Sequence, residues 1–153
     1  AEVVFSEVDD SAIRRFRDEL GLELIPAKAV YTTECDIFAP CALGGVLSTD
    51  TIPQLKCRAV VGGANNQLAD PEDAGSLRAE GILYAPDYVV NVGGAMAILG
   101  LETQGWTREQ AEKQVTESVR RALRQVFELA AAEGITTEAA ARRIAEERLS
   151  TEI

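Results

Sequence analysis

The apolar positions of this chain follow two patterns. In the first half they come as short runs: Val3-Val4-Phe5, Leu22 to Ile25, Ile37-Phe38-Ala39, Val60-Val61 and Ile82-Leu83-Tyr84. Short, mostly unalternating runs between Gly, Pro and acidic residues predict strands covered on both faces, as in a parallel sheet. Between them lie helical stretches. Asp9 or Asp10 caps a helix through Leu20, with Ile13, Phe16 and Leu20 on one face and Gly21 as the stop. Pro26 to Glu34 reads as a short helix or irregular connection. Asp50 to Leu55 reads as a short helix with Pro53 in its first turn, and Pro71 to Glu80 as a polar helix stopped by Gly81.

The second half is helical. Asn91 is the expected N-cap of an apolar helix through about Leu101. Thr107-x-x-Gln110 is a capping box. It opens a long amphipathic helix with Ala111, Val115, Val119, Ala122, Val126, Phe127 and Ala130 at helical spacing, ended by Gly134. Thr136 or Thr137 caps a last helix to about Leu149. Strands alternating with helices predict one compact α/β unit with a parallel sheet.

Ligands of such sheets bind outside the C-terminal ends of the strands. Three of these ends are built from small residues: Ala39-Pro40-Cys41-Ala42, Gly62-Gly63-Ala64-Asn65 and Ala85-Pro86-Asp87. Glycines let backbone approach a flat or anionic group, and the amides of Asn65 and Asn66 both donate and accept. Taken singly, Gly62 to Asn66 suits an ordinary strand-to-loop turn equally well. Three such ends together favour a ligand edge.

Composition narrows the chemistry. Of 153 residues, 25 are acidic and 15 basic, a formal charge of −10 that disfavours nucleic-acid partners. Phosphates of a small cofactor can still bind backbone N–H groups at helix N-termini. No apolar run approaches a membrane span and no signal peptide opens the chain, so the expectation is a cytoplasmic protein without a membrane partner. There is no histidine. Cys35, Cys41 and Cys57 match neither a disulfide framework nor a metal pattern, and read as buried or half-buried thiols in a reducing compartment.

Three stretches in register carry a family likeness. They are Asp36-Ile37-Phe38-Ala39-Pro40-Cys41-Ala42-Leu43-Gly44-Gly45, then Gly62-Gly63-Ala64-Asn65-Asn66-Gln67-Leu68, then Gly81-Ile82-Leu83-Tyr84-Ala85-Pro86-Asp87-Tyr88-Val89-Val90-Asn91-Val92-Gly93-Gly94. With the closing Ala139 to Arg148, they resemble the nicotinamide-binding domain of the leucine, valine and phenylalanine dehydrogenases, within the glutamate dehydrogenase superfamily. The resemblance implies oxidative deamination of a branched-chain or aromatic L-amino acid to a 2-oxo acid, with NAD as cofactor and ammonia released. It implies a Rossmann-like parallel sheet over residues 1–153, with a helical segment over about 87–150.

The resemblance also assigns residues. Glu7 falls where the family carries an acid, usually Asp, that binds the adenosine ribose. A carboxylate there favours NAD over NADP. Cys41 and Ala42 lie along the cofactor, the thiol as packing. Gly63, where the family usually has Ala, forms the nicotinamide-side turn with Ala64 and Asn65, and Asn65 contacts both ribose and amino acid. Asn91 lies near the substrate, and Ala95 and Ile98 touch its side chain. Ala95 leans toward a larger or aromatic substrate; Ile98 pushes the other way.

Departures from the family matter as much. The family's catalytic Lys and Asp, and its carboxylate-binding Lys, lie in an N-terminal domain with no counterpart in this sequence, so no catalytic residue is assigned. No G-x-G-x-x-G occurs, and the strand and helix around it are missing too. The isolated chain is therefore expected to be inactive. A competing reading is a non-catalytic, truncated module that keeps the fold for binding or assembly. In the sheet order 3-2-1-4-5-6 the missing strand is the central one. Direct pairing of the strands at Val3–Ser6 and Asp36–Ala39, or self-association through their exposed edges, is the expected closure.

Overall fold

The computed structural model describes residues 1–151. Five two-residue strands run parallel to their neighbours in two sheets. β1 (Val4–Phe5) pairs with β2 (Glu23–Leu24), and β3 (Ile37–Phe38), β4 (Ala59–Val60) and β5 (Leu83–Tyr84) pair in the order β3-β4-β5. In the larger sheet Phe38, Val60 and Tyr84 stand side by side. The turns that follow them consequently leave at one edge. This is the α/β architecture with parallel sheets that the patterning predicts.

α1 (Asp10–Arg14) starts at Asp9, whose carboxylate accepts the Ala12 N–H at 2.8 Å. It continues as a π-helical turn over Arg15–Glu19 and stops at Gly21, where φ is +66°. Phe16 packs edge-on to Phe5 across 5.3 Å. Leu20, expected on the same apolar face, is exposed instead. The wider π turn rotates it off the stripe. The stretch 26–34 contains only a 3₁₀ turn at Ala27–Ala29, and 50–55 another at Ile52–Gln54, with Pro53 at its start.

The main core lies under the larger sheet. Leu47, Ile52, Val60, Leu77, Ile82 and Tyr84 are buried there, and Phe38, Leu55 and Cys57 pack against them. Leu77 comes from α2 (Asp73–Ala79), which ends before Gly81 at φ +71°. A second core joins the long helices α5 (Arg108–Glu133) and α6 (Thr137–Thr151) through Val126, Ala130, Ala140 and Ala141. The capping box is formed: Thr107 Oγ1 accepts the Gln110 N–H at 3.2 Å and Gln110 Oε1 accepts the Thr107 N–H at 2.8 Å. Gly134 closes α5 in the left-handed conformation, and Thr136 caps the helix after it through the Ala139 N–H.

Two further expectations, about Asn91 and the sheet, need correction. Asn91 does not cap the apolar helix α4 (Gly93–Thr103), whose N-cap is Val92 without a side-chain bond. Instead Asn91 closes a separate turn, α3 (Asp87–Val90), and its side chain reaches the neighbouring strand end.

Nor do β1 and β3 pair. Among the described residues no strand adds to the free edge of either, and Val3 and Ile37 are exposed. Each strand is held by its own half, β1 by β2 and the Phe5–Phe16 contact, β3 by β4 and the core beneath Phe38. Two-residue strands offer few hydrogen bonds across their free edges, so pairing there gains little against the ordering it would require. The pairs within each half are those of the order 3-2-1-4-5-6; the closure between the halves is not formed.

Candidate functional site

The three small-residue turns meet at the C-terminal edge of the larger sheet. Gly62 and Pro40 set their spacing. A Cβ on Gly62 would lie 2.2 Å from the Pro40 carbonyl oxygen and 2.6 Å from its Cδ, so only glycine allows the turns this close. The Ala64 N–H then donates to the Pro40 carbonyl at 3.0 Å, and the Gly63 N–H to Cys41 Sγ at 3.5 Å. Cys41 is exposed, unlike half-buried Cys35 and Cys57, which corrects the expectation that all three thiols are covered. A thiol that faces the adjacent turn cannot also sink into the core. Burial raises Cys35 and Cys57 above the ordinary thiol range, with Asp36 adding for Cys35 and Cys35 adding for Cys57.

Beyond Cys41, the loop through exposed Ala42 to Gly45 lies on the second turn. The Gly45 N–H donates to the Asn66 carbonyl at 2.7 Å. A Cβ on Gly44 would meet the carbonyl oxygens of Asn65 and Asn66 at 2.7 and 2.8 Å. Gln67, fully buried, holds the turn from beneath, its amide donating to the Gly62 and Ala64 carbonyls at 2.8 and 3.0 Å. Asn66 is left-handed at φ +53°, the one non-glycine residue with positive φ among those described. Its N–H donates to the carboxyl of buried Asp87 at 2.8 Å.

The two amides assigned to the substrate side are in direct contact. Asn91 Nδ2 donates to Asn65 Oδ1 at 2.6 Å. Asn65 is exposed and Asn91 half-buried, so the pair is open to a ligand. Gly63 is exposed as well, whereas Ala64 is buried and offers only backbone. Ala95 and Ile98 are exposed on α4, which starts two residues after Asn91. The opposite side of that helix is engaged: Gly93 lies against Val115, and Trp106 packs on Gly100.

Glu7 stands apart. It lies two residues after β1 of the smaller sheet, and its Oε1 accepts the N–H groups of Val8 and Asp9 at 2.6 and 3.1 Å. These bonds fix the carboxylate at the entry to α1, and none of them reaches the three turns. Two grooves, one of about 770 Å³ between α5 and α6 and one of about 250 Å³ where α2 and β5 meet the end of α5, are lined by no residue of the strand-end turns. The strand edge is an open shelf.

Two shaping residues were not singled out by pattern, Asp87 and Gln67. Both lie inside the motif stretches, but their role is a hydrogen bond to a turn, which leaves no periodic trace. Tyr84 shares the network: its hydroxyl donates to Asp87 Oδ1 at 2.9 Å, and burial, then that bond, pushes the phenol well above its ordinary range. Burial and Glu138, which accepts the Tyr88 hydroxyl at 3.1 Å, push Tyr88 the same way.

Parallel strands that deliver close-packed small turns and two facing amides to one edge define a Rossmann-type α/β domain. The chain belongs to the Glutamate/Leucine/Phenylalanine/Valine dehydrogenase family, whose sequence model matches residues 3–153. It is 40% identical to a leucine dehydrogenase of Geobacillus stearothermophilus over 151 residues, 99% of this chain and 41% of that one. It is 42% identical to a phenylalanine dehydrogenase of Lysinibacillus sphaericus over 135 residues, 87% of this chain and 35% of that one. The crystal structure of L-tryptophan dehydrogenase from Nostoc punctiforme superposes with a TM-score of 0.86 at 40% identity, covering 95% of this chain and 43% of that one. The chain thus spans about two fifths of the length of the curated relatives it matches.

Proposed function

We propose that this chain is the cofactor-domain portion, residues 1–153, of an NAD-dependent L-amino-acid dehydrogenase. The reaction is oxidative deamination of a branched-chain or aromatic amino acid to its 2-oxo acid, with release of ammonia. The observation that carries this reading is the Asn65–Asn91 contact at the strand edge, beside turns that only glycine can bring together. Relatives named for leucine, phenylalanine and tryptophan support the reaction class and leave the side chain open.

The residues fit the two ends of a dinucleotide. Glu7 would accept the adenosine ribose hydroxyls, and its charge opposes the extra phosphate of NADP. Exposed Cys41, Ala42 and Gly63, with the backbone of Ala64, would lie along the nicotinamide half. Asn65 would bind its ribose and the amino acid together, with Asn91 fixing the amide's orientation. Ala95 and Ile98 would touch the substrate side chain, where one methylene is worth about 1–3 kcal/mol. The bound nicotinamide supplies the hydride acceptor. A general base and a cation for the substrate carboxylate are expected from the remainder of the enzyme.

A non-catalytic binding or assembly module is the second reading, with the free edges of β1 and β3 as the surfaces through which it would associate. One experiment separates the two. The part of a related leucine dehydrogenase that this chain does not cover is supplied as a second polypeptide, and amino-acid-dependent NADH formation is followed. Activity that disappears in Asn65→Ala supports the enzyme; silence in a verified complex favours the module. Calorimetry of the chain alone should give at best weak NAD binding, and submicromolar affinity would contradict the importance of the Gly-rich turn.

A further inference from the structure

We propose that Asp87 is the positioning residue of the Asn65–Asn91 amide pair, holding it by one side chain and one carbonyl. This rests on the reading of Asn65 as the ligand-facing amide. Asp87 is 8% exposed, and no Lys or Arg among the described residues forms an ion pair with it. A buried carboxyl without a cation must be held by hydrogen bonds, and their partners show what it does. Oδ2 accepts the Asn66 N–H at 2.8 Å, and Oδ1 accepts the Tyr84 hydroxyl at 2.9 Å. The Tyr84 oxygen in turn accepts the Asp87 N–H at 3.3 Å, closing a ring that keeps the carboxyl from rotating. The Asp87 carbonyl accepts the Asn91 N–H at 2.8 Å. One residue therefore ties down the backbone next to the first amide and the backbone of the second.

The conformation it holds needs holding. Asn66 stands at φ +53°, a region that asparagine tolerates and glycine occupies freely. A turn through an extended Asn66 would aim Asn65 elsewhere and break its 2.6 Å contact with Asn91. Gln67 grips the turn only before residue 65, through Gly62 and Ala64. After it, Asp87 grips the Asn66 N–H, while the Gly45 N–H holds only the Asn66 carbonyl, at 2.7 Å. Two donors must be satisfied at once, and a carboxyl is the side chain with two acceptor oxygens and no obligatory donor.

The test uses ¹⁵N NMR of the chain and the two-polypeptide assay above, with D87A, D87A/N66G and N65A. N65A supplies the resonance of an Asn91 side-chain amide without its partner. In D87A the Asn91 resonance should move to that value, and Asn66 N–H exchange should quicken about ten- to a hundredfold. Amino-acid kcat/KM should fall by a similar factor. In D87A/N66G the Asn91 resonance and most of the activity should return, because glycine takes the left-handed turn unaided. An unchanged Asn91 resonance in D87A, or a loss that N66G does not relieve, overturns the proposal. If D87A unfolds and the double variant folds with the Asn91 resonance in place, the proposal stands; if both unfold, Asp87 supports the fold at large and the proposal falls. A silent wild-type assay would sink the enzyme reading, while the resonances still decide the role of Asp87.

Discussion

Replacing Gly62 by alanine should loosen the strand edge more than its single methyl suggests. The new Cβ would meet Pro40 at its carbonyl oxygen, Cδ and nitrogen, at 2.2, 2.6 and 2.7 Å. These atoms belong to a rigid ring and a backbone, so relief requires the ends of β3 and β4 to part. Overpacking of this kind costs about 1–3 kcal/mol. Parting also stretches the 3.0 Å bond from the Ala64 N–H to the Pro40 carbonyl, and a buried donor left unpaired costs about 1–3 kcal/mol more. A total near 3 kcal/mol corresponds to a fall in Tm of roughly 6–12 °C for a domain of this size. Calorimetry of G62A against wild type reads it directly. Gly75→Ala is the control: it lies inside α2 with nothing within 4 Å of an added Cβ, and should stabilise by about 0.5–1 kcal/mol. Equal melting of G62A and wild type would refute the close-approach account.

Two further outcomes follow from groups described above. Tyr84 is raised above its ordinary value of 10.0 by burial and by Asp87. Its contribution to stability is full below about pH 10 and is lost as pH rises toward the folded-state value, because the unfolded phenol ionises first. Urea midpoints from pH 8 to 11 should fall less steeply in Tyr84→Phe, and parallel curves would remove Tyr84 as the cause. Thr107→Ala removes the cap of α5 and should cost about 1 kcal/mol in urea unfolding; no loss would mean that the box contributes nothing to the folded chain.

What could be read from the sequence was local or periodic. The stops at Gly21, Gly81 and Gly134 needed only a left-handed residue after an apolar stripe, and each is left-handed. The capping box of α5 needed residues three apart. The strand-end turns were visible because small residues cluster there. Contacts across distance were not visible. Asn91 has the look of a helix cap, yet its amide goes to Asn65, 26 residues earlier. The carboxyl of Asp87 serves a turn 21 residues before it. Neither partner recurs at a helical or strand period, so residue type alone could not assign them. The two halves of the sheet were expected to join because exposed edges are costly. Strands of two residues leave few unpaired groups on those edges, so the cost that would draw them together is small.

The distribution of burial has a consequence for how this chain unfolds. No residue before Pro40 is buried, whereas the larger sheet and the α5–α6 pair each enclose a core. The β1–α1–β2 unit is thus held by half-buried contacts such as Phe5 on Phe16, and local opening there requires little core to be exposed. A small early transition ahead of the main one is the expected outcome in a melt of the chain, and the main transition is the one that the G62A comparison reads. Glu7 sits in the unit without a core, and Asn65 beside the larger sheet, which has one. A ligand spanning both would join the two units as well as lie on the strand-edge shelf, and part of its binding free energy would be spent on ordering the first.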